Sequence, residues 1–279
     1  MKLSTIGCKG RFRGLFSVAV LGWASPAWSL DCGAPAWGAL TGVVRSHWEE
    51  FSAQGKSLVR ESGTLTRAGV NVGGLCERWQ WRLALTRSEG RRRYDGVSTT
   101  GFPIQTSSNL AITDASVQGW APMADRWSAG LRLNRRTLHR DIAGTGPVLG
   151  YPERFSYWQA AAGIRHELPL GPGVVFSGEG WLGGGPGGTL SLQLPNADPA
   201  QLKLGNNRLV QIGLQLGSPA LAPERPGWSW QLRMDYQWQQ MDAGPAMVIA
   251  RNGVPIGGAS QPETRQTALG VDVGMHYRF

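Results

Sequence analysis

Apolar and polar residues alternate one for one along most of the chain. The clearest run is 228–239. Trp228, Trp230, Leu232, Met234, Tyr236 and Trp238 fall on one face, and Ser229, Gln231, Arg233, Asp235, Gln237 and Gln239 on the other. A period of two is the signature of an extended strand, and a period of 3.6 would mark a helix. The aromatic residues sit at the two ends of the apolar face, with aliphatic residues between them. That order suits a strand whose outer face meets hydrocarbon in the middle and headgroups at either end. At about 3.3 Å per residue, a tilted strand of this length crosses a bilayer.

Nine further stretches carry the same pattern: 43–53, 66–72, 79–86, 111–121, 127–133, 158–164, 174–182, 210–216 and 269–279. The connections alternate in length. Those at 53–63, 87–110, 137–154, 183–207 and 240–264 are mostly long and rich in Gly, Pro, Asn and Ser. Those at 73–77, 122–126, 167–173 and 217–227 are shorter. This asymmetry is that of a barrel with long loops on one side of a membrane and tight turns on the other. An open sheet would leave edge strands unpaired in lipid, so the strands are expected to close. The expected fold is all-β: a transmembrane, antiparallel, up-and-down β-barrel of about ten strands, with eight to twelve compatible. The segments 189–194 and 201–204 are expected either to prolong barrel strands as a hairpin or to form an extra pair.

The N-terminus has another character. Lys2, Lys9, Arg11 and Arg13 precede an apolar stretch at 15–24, and Ala27-Trp28-Ser29 offers a small-x-small cleavage site. This reads as a secretory signal over 1–29, with cleavage before Leu30. A periplasmic segment over 30–40 and a barrel over 41–279 follow. Asp31 before Cys32 argues against a lipoprotein site. The full chain has a formal net charge of +9, from 28 bases and 19 acids. Loss of the signal leaves 24 bases and a charge of +5, which weakens any reading as a nucleic-acid binder. Nearly all the remaining bases are Arg. Cys8 leaves with the signal. Cys32 and Cys76 both map to the short-turn side, so they are expected to form a disulfide in an exported protein.

The last strand is the most specific element. Val271, Val273, Met275, Tyr277 and Phe279 share one face, and the terminal residue is aromatic. This resembles the assembly signal of Gram-negative outer-membrane β-barrels. The resemblance implies that Tyr277 and Phe279 are read by the barrel-assembly machinery, and that the protein lies in the bacterial outer membrane; a monomer is expected. Both termini then face the periplasm, and the partners are membrane lipid and lipopolysaccharide.

The polar strand faces suggest candidate chemistry. Arg45, Glu49, Arg82, Arg132, Arg165, Glu179, Arg233, Asp235 and Asp272 are expected to face the lumen as an ionic network that plugs it. His47, Arg67, Asp114, His276 and Arg278 are expected to join them. Arg91, Arg92 and Arg93 in one long loop, with Arg136 and Arg140 at the end of the fifth strand, are expected to meet lipopolysaccharide phosphates through forked contacts. His47 with Glu49, and His139 with Asp141, are the candidate acid–base pairs. The ten-strand size is similar to that of the omptin proteases, which use an acidic pair and a His–Asp pair at the barrel mouth. No Asp-x-Asp pair is found here, so the likeness is one of strand count. Ser46 beside His47 points to the opposite face. Four scattered His residues give no metal cluster, no cofactor is implied, and the glycine-rich run 183–188 reads as a flexible loop. The functional expectation is a barrel with a charged, largely plugged lumen in a structural or surface-interaction role, without catalysis. A narrow channel for small solutes and a cell-surface hydrolase, either omptin-like or lipid-modifying, are the alternatives.

Overall fold

The computed structural model describes residues 32–97, 101–218 and 226–279; the expected signal over 1–29 lies outside them. Fourteen strands follow one another: β1 (Ala36–Phe51), β2 (Ser57–Cys76), β3 (Trp79–Val97), β4 (Pro103–Ala124), β5 (Trp127–Ile142), β6 (Tyr151–Gly171), β7 (Val174–Gly185), β8 (Thr189–Leu192), β9 (Ala200–Lys203), β10 (Asn207–Gly217), β11 (Gly227–Met241), β12 (Met247–Arg251), β13 (Val254–Ala259) and β14 (Glu263–Arg278). Ten of them close on themselves in the order β1-β2-β3-β4-β5-β6-β7-β10-β11-β14, every pair antiparallel and β14 returning to β1. The expected up-and-down barrel of ten strands is therefore the observed architecture.

The strands are longer than the sequence pattern suggested. β1 begins at Ala36, inside the stretch expected to precede the barrel. β3 and β4 pair continuously from Gln80–Trp120 to Val97–Pro103, so most of the expected loop 87–110 is a tall hairpin. β8 and β9 form the hairpin expected in 189–204, and β8 lies along Glu153–Ser156 of β6. The glycine-rich run 183–188 is not a free loop. Gly183–Gly185 finish β7, paired with β10, and 186–188 cross to β8, where a Cβ on Gly187 would lie 1.9 Å from the Leu204 carbonyl oxygen. β12 and β13 form a separate hairpin. The Asp198 carboxylate accepts hydrogen bonds from the Asn252 and Gly253 amides at 3.0 and 2.9 Å, tying that hairpin to the β8–β9 loop.

At the opposite end, where the described chain starts and finishes, the turns 77–78, 125–126 and 172–173 are tight. Cys32 and Cys76 form a disulfide there. This is the pairing expected from their shared side of the barrel.

The wall has two halves of opposite polarity. Toward the terminal end, the outward positions are apolar and exposed: Trp37 and Val43 on β1, Leu83 and Leu85 on β3, Leu131 and Leu133 on β5, Trp228 to Tyr236 on β11, and Val271 to Met275 on β14. Toward the far end the chemistry inverts without any change in which residues point in. On β5, Leu138 turns inward, 1% exposed, while Arg135, His139 and Asp141 turn outward. On β4, Leu110 and Ile112 are buried inside; on β6, Phe155 and Tyr157. Together with Val44, Trp48, Leu65, Leu190, Leu192, Leu202, Leu204, Met241 and Ile249, they form one apolar cluster in the far half of the barrel. Burial of apolar area drives that half as it would a water-soluble barrel. The terminal half is built the other way round.

Two expectations fail for this reason. Arg45, His47 and Glu49 lie on the outer wall, and Glu49 pairs there with Arg60 at 2.6 Å. Arg92, Arg136 and Arg140 are buried inside, between 0 and 7% exposed, so they are not outer-wall contacts. Arg91 and Arg93, their neighbours in the alternation, are exposed on the outside.

Candidate functional site

The lumen carries three layers of side chains. Nearest the terminal end, Trp120 and Trp181 meet with ring centroids 4.5 Å apart. The Arg165 guanidinium lies 4.7 Å from the Trp120 ring centre and that of Arg132 4.6 Å from Trp181, a cation–π arrangement. Two glycines make room for the rings. A Cβ on Gly130 would lie 2.5 Å from Trp120, and one on Gly163 2.5 Å from Trp181. These indoles form a floor that sequence reading missed. The signal was available, because each Trp faces a glycine across the strand pair: Trp120 opposite Gly130 and Trp181 opposite Gly163.

Above the floor lies a polar layer around a cavity of about 130 Å³. Arg67 donates to Asp235 at 2.9 Å and to Asp272 at 2.8 Å. Arg233 meets Glu179 at 2.7 Å. Arg136 binds Asp114 through both Nε and Nη2, at 2.7 and 2.9 Å, and Asn134 donates to the same carboxylate at 3.0 Å. His276 and Asn71 are 3.1 Å apart beside this layer. Arg82, Arg132, Arg165, Glu179, Arg233, Asp235 and Asp272 thus all face the lumen.

The third layer sits within the apolar cluster. Arg140 reaches Glu50 at 2.8 Å, Glu61 at 3.3 Å and Glu153 at 2.5 Å, and lies 5.1 Å from the Trp48 ring centre. Glu61 also faces Arg92 at 3.5 Å and accepts from Ser108 at 3.0 Å. Trp48 Nε1 donates to Glu50 at 2.9 Å. Five buried charged groups are thus held by one another. Sequence reading put Glu50 on the first strand, Glu61 and Glu153 in loops and Arg92 and Arg140 at the surface, because it kept one polarity rule for the whole strand length.

The catalytic candidates do not come together. His139 and Asp141 lie on the outer wall of β5, and His47 and Glu49 on the outer wall of β1. Neither pair is at the barrel mouth as an acid–base constellation would require. Among the described residues, no three His, Cys, Asp or Glu side chains converge as a metal site.

No protein-family model and no curated protein matches the chain. Solved structures do. The outer-membrane protease OmpT of Escherichia coli superposes with a TM-score of 0.53 at 9% identity, over 92% of this chain and 99% of that one. This is the fold of bacterial outer-membrane β-barrels. The translocator domain of the autotransporter NalP from Neisseria meningitidis gives a TM-score of 0.42 at 10% identity, over 88% of this chain and 89% of that one. OprG from Pseudomonas aeruginosa gives 0.35 at 9% identity, over 88% and 97%. At such identities the likeness is one of fold.

Proposed function

We propose that this barrel resides in the bacterial outer membrane with both termini in the periplasm, as a monomer whose lumen is closed and whose role is structural or surface-interacting. The observation that carries the reading is the apolar cluster filling the far half of the lumen beneath the β8–β9 hairpin. A solute path would need accessible polar groups or water along its length; this layer is mostly aliphatic, and its charged side chains, Arg92, Arg140, Glu50, Glu61 and Glu153, are buried and paired with one another. The exposed apolar belt of the terminal half supports immersion in lipid, since a soluble monomer rarely carries a continuous belt of that kind. Arg91 and Arg93 stand on the outer wall above that belt, with Arg87 below them on the same strand face. They suit lipopolysaccharide phosphates. Val271, Val273, Met275 and Tyr277 face outward on β14, and Phe279 is exposed after it. That arrangement suits recognition by the assembly machinery. The tall β3–β4 hairpin and the tied β8–β9 and β12–β13 hairpins are the surfaces such a protein offers outside the cell.

The test is electrical. The mature protein reconstituted in planar bilayers is expected to give no steady conductance steps. Reproducible single-channel steps that vanish when the protein is heat-denatured would overturn the closed-lumen reading in favour of a narrow channel.

A further inference from the structure

We propose that the central cavity is a binding site for a small oxyanion of the phosphate or sulfate class. Five arginines line it: Arg67, Arg82, Arg132, Arg136 and Arg233. The carboxylates are fewer and mostly committed. Asp114 is held by Arg136, Glu179 by Arg233, and Asp235 and Asp272 both by Arg67. Among the described residues, Arg82 and Arg132 have no carboxylate within 4.0 Å and donate no side-chain hydrogen bond. Glu179, already held, faces Arg82 and Arg132 as well as Arg233. Five arginines and three carboxylates line the cavity, and with Glu179 beside it this layer keeps one positive charge in excess, between the indole floor and the paired Arg140 cluster above.

Arginine cannot discharge by losing a proton. The Arg82 and Arg132 side chains are both part-exposed to the cavity, Arg132 with the Trp181 ring beside it, so the excess charge calls for an anion or water there. Geometry selects the class. Arg82 and Arg132 lie opposite Gln118 from its two sides, in register across β3, β4 and β5. At about 4.8 Å between neighbouring strands their backbones are about 10 Å apart, which lets two long side chains converge on one ligand. Forked guanidinium groups match the oxygens of phosphate and sulfate. A volume of 130 Å³ corresponds to roughly four waters at about 30 Å³ each. It excludes ligands that need the usual 300 Å³ or more of a drug-sized pocket.

The mature protein, refolded into detergent micelles in inorganic phosphate or in chloride at matched ionic strength, supplies the test. Refolding with the ion present removes any barrier to entry. A ligand bound only by the folded state raises the unfolding temperature in a saturable way. That rise is expected with phosphate and not with chloride, in the native protein and in Arg91→Gln/Arg93→Gln. In Arg82→Gln the half-saturating phosphate concentration is expected to rise about tenfold or more, the cost of one forked contact. Arg132→Gln also loses stacking on Trp181, so Arg82→Gln is the decisive variant. Arg82→Lys, which keeps the charge without the fork, is expected to fall between Arg82→Gln and the native protein, and serves alone should Arg82→Gln not fold. No phosphate-specific rise in the native protein would overturn the proposal. So would an undiminished rise in Arg82→Gln or in Arg82→Lys, or a rise abolished by Arg91→Gln/Arg93→Gln, which would place the ion on the outer wall.

Discussion

Replacing Arg140 with Met tests the inverted far half most directly. Met is unbranched and keeps apolar contact with Trp48 and Phe155, so the change removes mainly charge. Glu50, Glu61 and Glu153 then remain inside with Arg92 as the neighbouring cation, 3.5 Å from Glu61 alone. Removing one partner of a buried ionic cluster typically costs about 3–5 kcal/mol, because the groups left behind are desolvated and unpaired. At about 2–4 °C per kcal/mol for a chain of this size, the unfolding midpoint should drop by roughly 6–20 °C. Heat-modifiable migration in gels reads this midpoint in lipopolysaccharide-free detergent. Adding Glu50→Gln and Glu153→Gln to Arg140→Met removes most of the stranded charge, and should recover much of the loss. An Arg140→Met protein with the native midpoint would refute the reasoning. It would return Arg140 to the outer-wall role that the sequence pattern suggested.

Three further outcomes follow from the packing. Gly163→Ala places a Cβ 2.5 Å from the Trp181 ring, and such overpacking costs about 1–3 kcal/mol; an unchanged midpoint in urea would remove the indole floor from the account of stability. Breaking the Cys32–Cys76 bridge, which spans a separation of 44 residues, should cost about 4 kcal/mol in a chain-entropy model. A melting curve indifferent to dithiothreitol would show that the bridge constrains little. Gly187→Ala drives a Cβ into the Leu204 carbonyl and should loosen the β8–β9 hairpin, seen as faster proteolytic cutting within 193–199. Equal cutting rates would mean that the crossing tolerates a side chain.

The sequence was most legible where the lipid-facing part of a strand is long and of one parity. β11 and β14 show this: Trp228 to Trp238 and Val271 to Phe279 keep a single apolar parity, and strand and face were both readable. β1 was misread because Val43 and Val44 are both apolar. Val43 faces out at 49% exposure and Val44 in at 3%. The pattern then runs on as Ser46, Trp48 and Glu50 inside, against Arg45, His47 and Glu49 outside. β5 hides the same switch, with Leu131 and Leu133 apolar outside but Leu138 and Ile142 apolar inside. A change of apolar parity within one run looks like the end of a strand, which is why 87–110 and 137–154 read as loops. Strand count survived because each strand has a lipid-facing half. The Arg140 cluster did not, since nothing local distinguishes Arg92 from Arg91 and Arg93. Only the fixed in–out alternation of a long strand separates them.

The reversal of polarity midway up the wall also acts as a depth gauge. Raising the barrel along the membrane normal would drag Trp, Leu and Met into water, and lowering it would sink Arg45, Arg60, Arg91 and Arg93 into the acyl chains. Both displacements are opposed from every strand that carries the switch, so the height of the protein is set by its own stave pattern rather than by anchors at one rim. The portion beyond the switch is a pillar packed inside by the apolar cluster and the Arg140 ion pairs. It can hold the hairpins of the far end clear of the lipid surface at a constant elevation.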